Sequence, residues 1–153
     1  MEIIKEKTIS FTGHRDLKDD FDKKLLEEKI IEYIKNGYDT FLCGMAVGFD
    51  LYIFEKLLKI KKDYKIKIVA CIPYPKQSER FNKSDKEKYK KYLTLADESV
   101  VVSPNYDYFC MMRRNHFMVD NSSVLIAYYR KMKSGTYSTI KYAFDKGKKV
   151  EII

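Results

Sequence analysis

A chain of 153 residues has room for one core of ordinary size and little for a second, so a single domain spanning 1–153 is expected. Apolar residues make up 45% and aromatic residues 14%, too many for a disordered chain, while Lys and Arg outnumber Asp and Glu by 30 to 22 for a formal charge of +8. No stretch approaches the roughly 20 apolar residues of a bilayer-spanning helix, and Met1-Glu2-Ile3-Ile4-Lys5-Glu6-Lys7 lacks an apolar signal core, so a cytosolic protein with no membrane partner is expected. The positive excess favours anionic partners, although much of it lies in runs such as Lys59 to Lys67 and Lys83 to Lys91 that read as solvated faces. Cys43, Cys71 and Cys110 are odd in number and widely spaced, and His14 and His116 are the only histidines. Zinc-ligand spacing is therefore missing, and neither a metal nor a cofactor is expected.

Along the chain, Thr8-Ile9-Ser10-Phe11-Thr12 begins as polar/apolar alternation and predicts a first strand running into Gly13. Asp19 or Asp20 is expected to cap the next helix, where Leu26, Ile30, Tyr33 and Ile34 recur at helical spacing until Gly37 supplies a left-handed stop. Thr40 to Cys43 is a short second strand. Asp50 to Ile60 is apolar on nearly every side and predicts a helix buried by its neighbours. Lys65 to Ile72 is a third strand with the continuous apolar run of a parallel strand covered on both faces, and Pro73-Tyr74-Pro75 ends it. A polar stretch with Gln77, Ser78, Glu79, Arg80 and Phe81 leads into a charged helix from about Ser84 to Ala96. Ser99 to Val102, Met111 to Asp120 and Val124 to Tyr128 then read as strand, helix and strand. A last helix carries Thr136, Ile140, Ala143 and Phe144 on one face and stops at Gly147, and Val150 to Ile153 closes the chain as an edge strand.

This alternation predicts an open, mostly parallel sheet with helices on both faces, in which ligands bind outside the carboxyl ends of the strands near a topological switch point. Four of the six glycines fall in three loops of one type, each following a β-like run and opening a helix: Thr12-Gly13-His14-Arg15, Cys43 to Asp50, and Ser134-Gly135-Thr136. A glycine lets a ligand approach the backbone, and a helix start offers unpaired N–H groups and the positive end of a dipole. Together the loops predict a cradle for an anion such as a phosphate or nucleotide.

Five segments carry a family resemblance: Phe11-Thr12-Gly13-His14-Arg15; Gly44-Met45-Ala46-x-Gly48-x-Asp50; Ile72-Pro73-Tyr74-Pro75; Arg114-Asn115-x-x-Met118-Val119-Asp120; and Ser134-Gly135-Thr136. In order and spacing they resemble the YpsA-like branch of the SLOG superfamily, which also includes DprA-type DNA-processing proteins and the LOG phosphoribohydrolases. The resemblance implies an α/β, Rossmann-like three-layer sandwich with a nucleotide-derived ligand over the glycine loops.

Within these loops, Gly44 and Gly48 flank a turn whose amides suit a phosphate, with Met45 between them. Asp50 serves either to bind ribose hydroxyls or to cap the helix and bond loop amides. Arg15 and Arg114 offer planar forks for phosphate, with Arg113 a weaker candidate. Asn115 reads a base or ribose, or bonds a neighbouring loop. His14 is either a proton shuttle or a structural donor. Ser134, Gly135 and Thr136 form an amide nest with two hydroxyls, or an ordinary serine cap. Tyr74 and Phe49 are candidates for stacking on a base. The loops match neither the dinucleotide fingerprint nor a P-loop. LOG enzymes resemble this chain at Arg114 and Gly135-Thr136, but the position of their catalytic glutamate is Thr139 here, and Met132 and Lys133 replace a diglycine. A threonine cannot serve as that carboxylate, leaving Glu79 or Asp50 as substitutes from other loops. The expected function is binding or sensing of a nucleotide or nucleotide-derived small molecule. A nucleotide hydrolase and a DprA-like DNA-binding protein are the alternatives, and a homo-oligomer is left open.

Overall fold

The computed structural model describes residues 2–131 and 134–153. After a 3-10 turn at Lys5–Lys7, strands β1 (Thr8–Gly13), β2 (Thr40–Cys43), β3 (Lys67–Ile72), β4 (Glu98–Val101), β5 (Val124–Tyr128) and β6 (Lys149–Ile152) alternate with helices α1 (Lys23–Lys35), α2 (Phe49–Ile60), α3 (Lys83–Leu95), α4 (Cys110–Asp120) and α5 (Gly135–Asp145). Every strand pairing is parallel, in the order β4-β3-β2-β1-β5-β6. The chain moves outward from β1 to β4 and then returns to the other side of β1, so the switch point lies between β1 and β5, paired from Ile9↔Val124 to Gly13↔Tyr128. The fold is a Rossmann-like α/β three-layer sandwich.

Alternate side chains of each strand enter opposite cores. Phe41, Cys43, Ile68, Ala70, Ile126 and Tyr128 pack with apolar residues of α1, α2 and α3, whereas Leu42, Val69, Cys71, Leu125 and Ala127 face α4 and α5. β5 is buried at all five positions, consistent with its interior place, while β4 and β6 are the partly exposed edges. Helix α2 buries seven of its twelve residues, as its nearly all-round apolar sequence requires. Cys43, Cys71 and Cys110 are all buried, as free thiols.

Two local expectations are corrected. Helix α1 is capped by Asp22, whose carboxylate accepts from the Leu25 amide at 2.9 Å, and not by Asp19 or Asp20. Phe21 decides this. It is drawn into the core among the rings of Phe49, Tyr52 and Tyr128 and, with Leu26 in the same cluster, forms the N′/N4 apolar pair that sets the helix start. In α5, Phe144 is 61% exposed, and the buried positions are Thr136, Thr139, Ile140 and Ala143. Those four repeat at i, i+3, i+4 and i+7, and Phe144 at i+8 rotates out of the stripe. Met132 and Lys133, where the sequence departs from the LOG diglycine, lie outside the described residues.

Candidate functional site

The carboxyl ends of β1, β2, β3 and β5 carry the loops that the sequence singled out, and these loops enclose a cleft of about 590 Å³. Thr12, Gly13, Arg15, Asp50, Tyr74, Arg114, Asn115, Ser134, Gly135 and Thr136 all line it. Gly44, Met45 and Gly48 do not. Met45, at a positive φ of 66°, is completely buried in the core, and Gly48 faces a shallower depression beside Arg15.

The glycines have different physical reasons. A Cβ on Gly13 would collide with the Phe49 ring, and one on Gly48 would collide with the Arg15 backbone. A Gly44 Cβ would stand 2.8 Å from Asp50 Oδ2 and 2.9 Å from Arg114 Nη1. These three glycines permit close internal packing of the loops. Gly135 differs, because a Cβ there would meet nothing within 4 Å among the described residues. It borders open cleft.

Behind the Gly44 turn lies a buried charged pair. Arg114 projects from the second turn of α4 and is 5% exposed. Its Nη1 donates to the carbonyls of Gly44 and, at 3.4 Å, Cys71, and its Nε donates to Asn115 Oδ1 at 2.8 Å. Asn115 thus orients the arginine. Asp50, in the first turn of α2, accepts from the Ala46 amide at 3.2 Å, so one carboxylate oxygen bonds the loop, as one of its two expected roles required. Burial pushes the Asp50 carboxyl up to about 6 against the opposing effects of Arg114 and the Ala46 amide, and burial likewise lowers Arg114.

A folded-state value above the unfolded one means that Asp50 contributes stability below about pH 4 and loses it as the pH rises through about 6. Relative to an Asp50→Asn variant, the wild-type protein is expected to lose on the order of 3 kcal/mol between pH 4 and 7. Denaturant melts of both proteins across that range check this, and parallel profiles would contradict it.

His14 acts as an acceptor: its Nε2 receives the Arg130 amide at 2.9 Å, tying the loop after β1 to the segment after β5. Burial, then Arg130 and Lys18, lower its pKa, which favours the neutral ring this bond needs. Ser134 is the N-cap of α5, its Oγ accepting from the Tyr137 amide at 3.4 Å, and the amides of Gly135 and Thr136 open the helix ahead of that bond. Thr139 donates its hydroxyl to Gly135 O at 2.7 Å, so even its oxygen is turned back into the helix. Glu79 lines the neighbouring groove with Tyr74 and Tyr106 and not this cleft. Phe49 is fully buried against Phe11, Phe21 and Tyr128, which removes it as a stacking surface and leaves Tyr74. Arg113 is held at the surface by Asp107 and Ser103. Arg15 is exposed at the mouth.

The cleft also includes residues that the sequence did not mark as ligand contacts, among them Gln77, Arg80, Phe81 and Met111. The first three lie in the polar stretch after β3, where no spacing rule distinguishes an inward side chain from a solvated one. Among the described residues, no group of three or more His, Cys, Asp or Glu is placed to hold a metal ion, and no helix is long and apolar enough to cross a membrane.

Comparison with solved structures finds DNA processing protein A (DprA) from Streptococcus pneumoniae, with a TM-score of 0.70 and 20% identity over 96% of this chain and 50% of that one. DprA from Helicobacter pylori, described for its single-stranded DNA binding mode, matches with a TM-score of 0.69 and 18% identity over 97% of this chain and 65% of that one. At such identities the likeness is one of fold. Among curated proteins, the uncharacterized SPbeta prophage-derived protein YoqJ of Bacillus subtilis (strain 168) is 30% identical over 132 residues, covering 78% of this chain and 75% of its own. UPF0398 protein BH1768 of Halalkalibacterium halodurans is 26% identical over 76% of this chain and 63% of its own, and UPF0398 protein YpsA of Bacillus subtilis (strain 168) is 24% identical over 74% and 65%. The match therefore spans just under two thirds of those two UPF0398 proteins. The YpsA family model, described as the YspA SLOG family, matches residues 5–151, and the chain belongs to that family.

Proposed function

We propose that the cleft binds a nucleotide or nucleotide-derived signalling molecule. The observation that carries this reading is the convergence of Gly135, the N-terminal turn of α5, Arg15 and the Arg114–Asp50 pair on one cavity at the β1/β5 switch point. The anion is expected at the mouth, between Arg15 and the α5 amides, because a helix start attracts negative charge. The neutral and hydroxyl-bearing parts of the ligand then reach inward toward Asp50, with Tyr74 at the side for a base.

Isothermal titration with AMP, ADP-ribose, NAD, cyclic nucleotides and short oligonucleotides tests the reading. Saturable binding without release of free base or ribose phosphate is the expected result. Gly135→Ala supplies a control for position. With open space around its Cβ, stability is expected to stay within about 0.5 kcal/mol of wild type, while affinity for a phosphate lying against that backbone falls about tenfold. Unchanged affinity would remove the phosphate from α5.

A second reading, binding of single-stranded DNA, is favoured by the +8 charge and by the fold shared with DprA. It predicts oligonucleotide binding that weakens steeply with salt, whereas single nucleotides in a small pocket show a shallower dependence. A LOG-like hydrolase is supported less, because the hydroxyl of Thr139 faces Gly135 O where those enzymes carry a carboxylate.

A further inference from the structure

Gln77 lies in the turn after β3, lines the cleft and is 5% exposed. Its Nε2 donates to Gly44 O at 3.0 Å, the same carbonyl that receives Arg114 Nη1. This contact orients the amide, since a flip would set Oε1 against a carbonyl oxygen. Gln77 Oε1 is thereby left buried with no hydrogen-bond partner among the described residues. An unsatisfied buried acceptor destabilises the free protein, and a donor from a ligand would restore the lost bond.

The second carboxylate oxygen of Asp50 also accepts no hydrogen bond among the described residues. Gln77 and Asp50 both abut Gly44, one through its carbonyl and the other beside its Cα. Both side chains line the cleft around the Gly44 turn, so a ligand whose binding brings two donors to them would satisfy acceptors that the free protein leaves unpaired. A vicinal diol meets that demand and a phosphate does not.

Building on the nucleotide reading above, we infer that Gln77 is a specificity residue whose Oε1, together with Asp50, accepts from the ribose 2′,3′-diol of the ligand and so selects ribonucleotides over their deoxy analogues. A site built to accept from a hydroxyl discriminates strongly against an analogue lacking it, because its own polar atom is then left unpaired.

The test titrates AMP, 2′,3′-dideoxy-AMP and IMP into the wild type, Gln77→Met and Gln77→Asn, with circular dichroism melts confirming that each variant is folded. The wild type is expected to bind AMP about tenfold or more tighter than the dideoxy compound, with IMP equal to AMP. Gln77→Met and the shortened Gln77→Asn are expected to bring AMP down toward the dideoxy level while leaving dideoxy-AMP affinity unchanged. Equal wild-type affinity for AMP and dideoxy-AMP, or a preference that survives in a folded Gln77 variant, overturns the inference. A deficit confined to IMP also overturns it, since Gln77 would then read the base amino group. These outcomes leave nucleotide binding intact, whereas absence of binding by every nucleotide overturns that reading together with this one.

Discussion

Gly48→Ala is expected to destabilise the protein by about 3–5 kcal/mol and to lower its thermal midpoint by about 10 °C. Gly48 has φ 85° and ψ −123° at the N-cap of α2, a backbone region that essentially only glycine occupies. A Cβ there would also overlap the Arg15 carbonyl, and backbone cannot step aside as the end of a side chain can. The loop is pinned from both sides: the Phe49 amide donates to His14 O at 3.2 Å, so the start of α2 and the end of β1 are fastened together at this point. Calorimetry decides the matter. A midpoint within a degree or two of wild type would show that the two loops are free to part, and the cleft could then not be a preformed site.

Arg114→Met is the second large effect, expected to cost about 3–5 kcal/mol at neutral pH and to abolish measurable nucleotide binding. Methionine fills similar space but cannot donate to Gly44 O or Cys71 O, and Asn115 loses the Nε bond. The greater loss is electrostatic. Asp50 would remain buried with the Ala46 amide as its support, and its carboxyl, already held near 6 with the arginine present, would climb further. Its folded value then lies still further above the unfolded one, so the instability of the variant is greatest at neutral and alkaline pH. It shrinks as the pH falls through the folded value and Asp50 takes up a proton. Denaturant titrations at pH 5 and pH 8 measure this directly, and a deficit independent of pH would mean that Arg114 acts through packing alone.

The consequences for the site differ between these two positions. Gly48 holds the scaffold and touches no part of the cleft, whereas Arg114 lines it and supports its inner wall. A Gly48 variant that remained folded should therefore recover affinity at low temperature, while an Arg114 variant should not.

Much of the architecture was legible in the sequence because periodicity carries it. The continuous apolar runs of β3 and β5 could be satisfied only by strands covered on both faces, and the all-round apolar surface of α2 only by a helix packed on several sides. The rim was legible too, since the loop glycines and prolines interrupt those runs at their carboxyl ends. Less legible were features set by partners distant in sequence. Phe21 moved the α1 cap to Asp22 because rings from α2 and β5 surround it, and no local signal announces such a pocket. Phe49 looked available for stacking until Phe11 and Tyr128 closed over it.

The sequence by itself determined the strand and helix alternation, the parallel sheet and the gathering of the glycine loops on one edge, because each depends on short-range pattern and backbone chemistry. Only the tertiary structure decided what each glycine is for. Gly13, Gly44 and Gly48 are small because Phe49, the Asp50–Arg114 pair and the Arg15 backbone press against them, while Gly135 has open space where a Cβ would stand among the described residues. It likewise decided that Gln77 belongs to the site, since an amide becomes a recognition group when neighbours bury it, occupy one of its ends and leave the other unsatisfied. Such a condition is set by several segments at once, and no spacing along the chain encodes it.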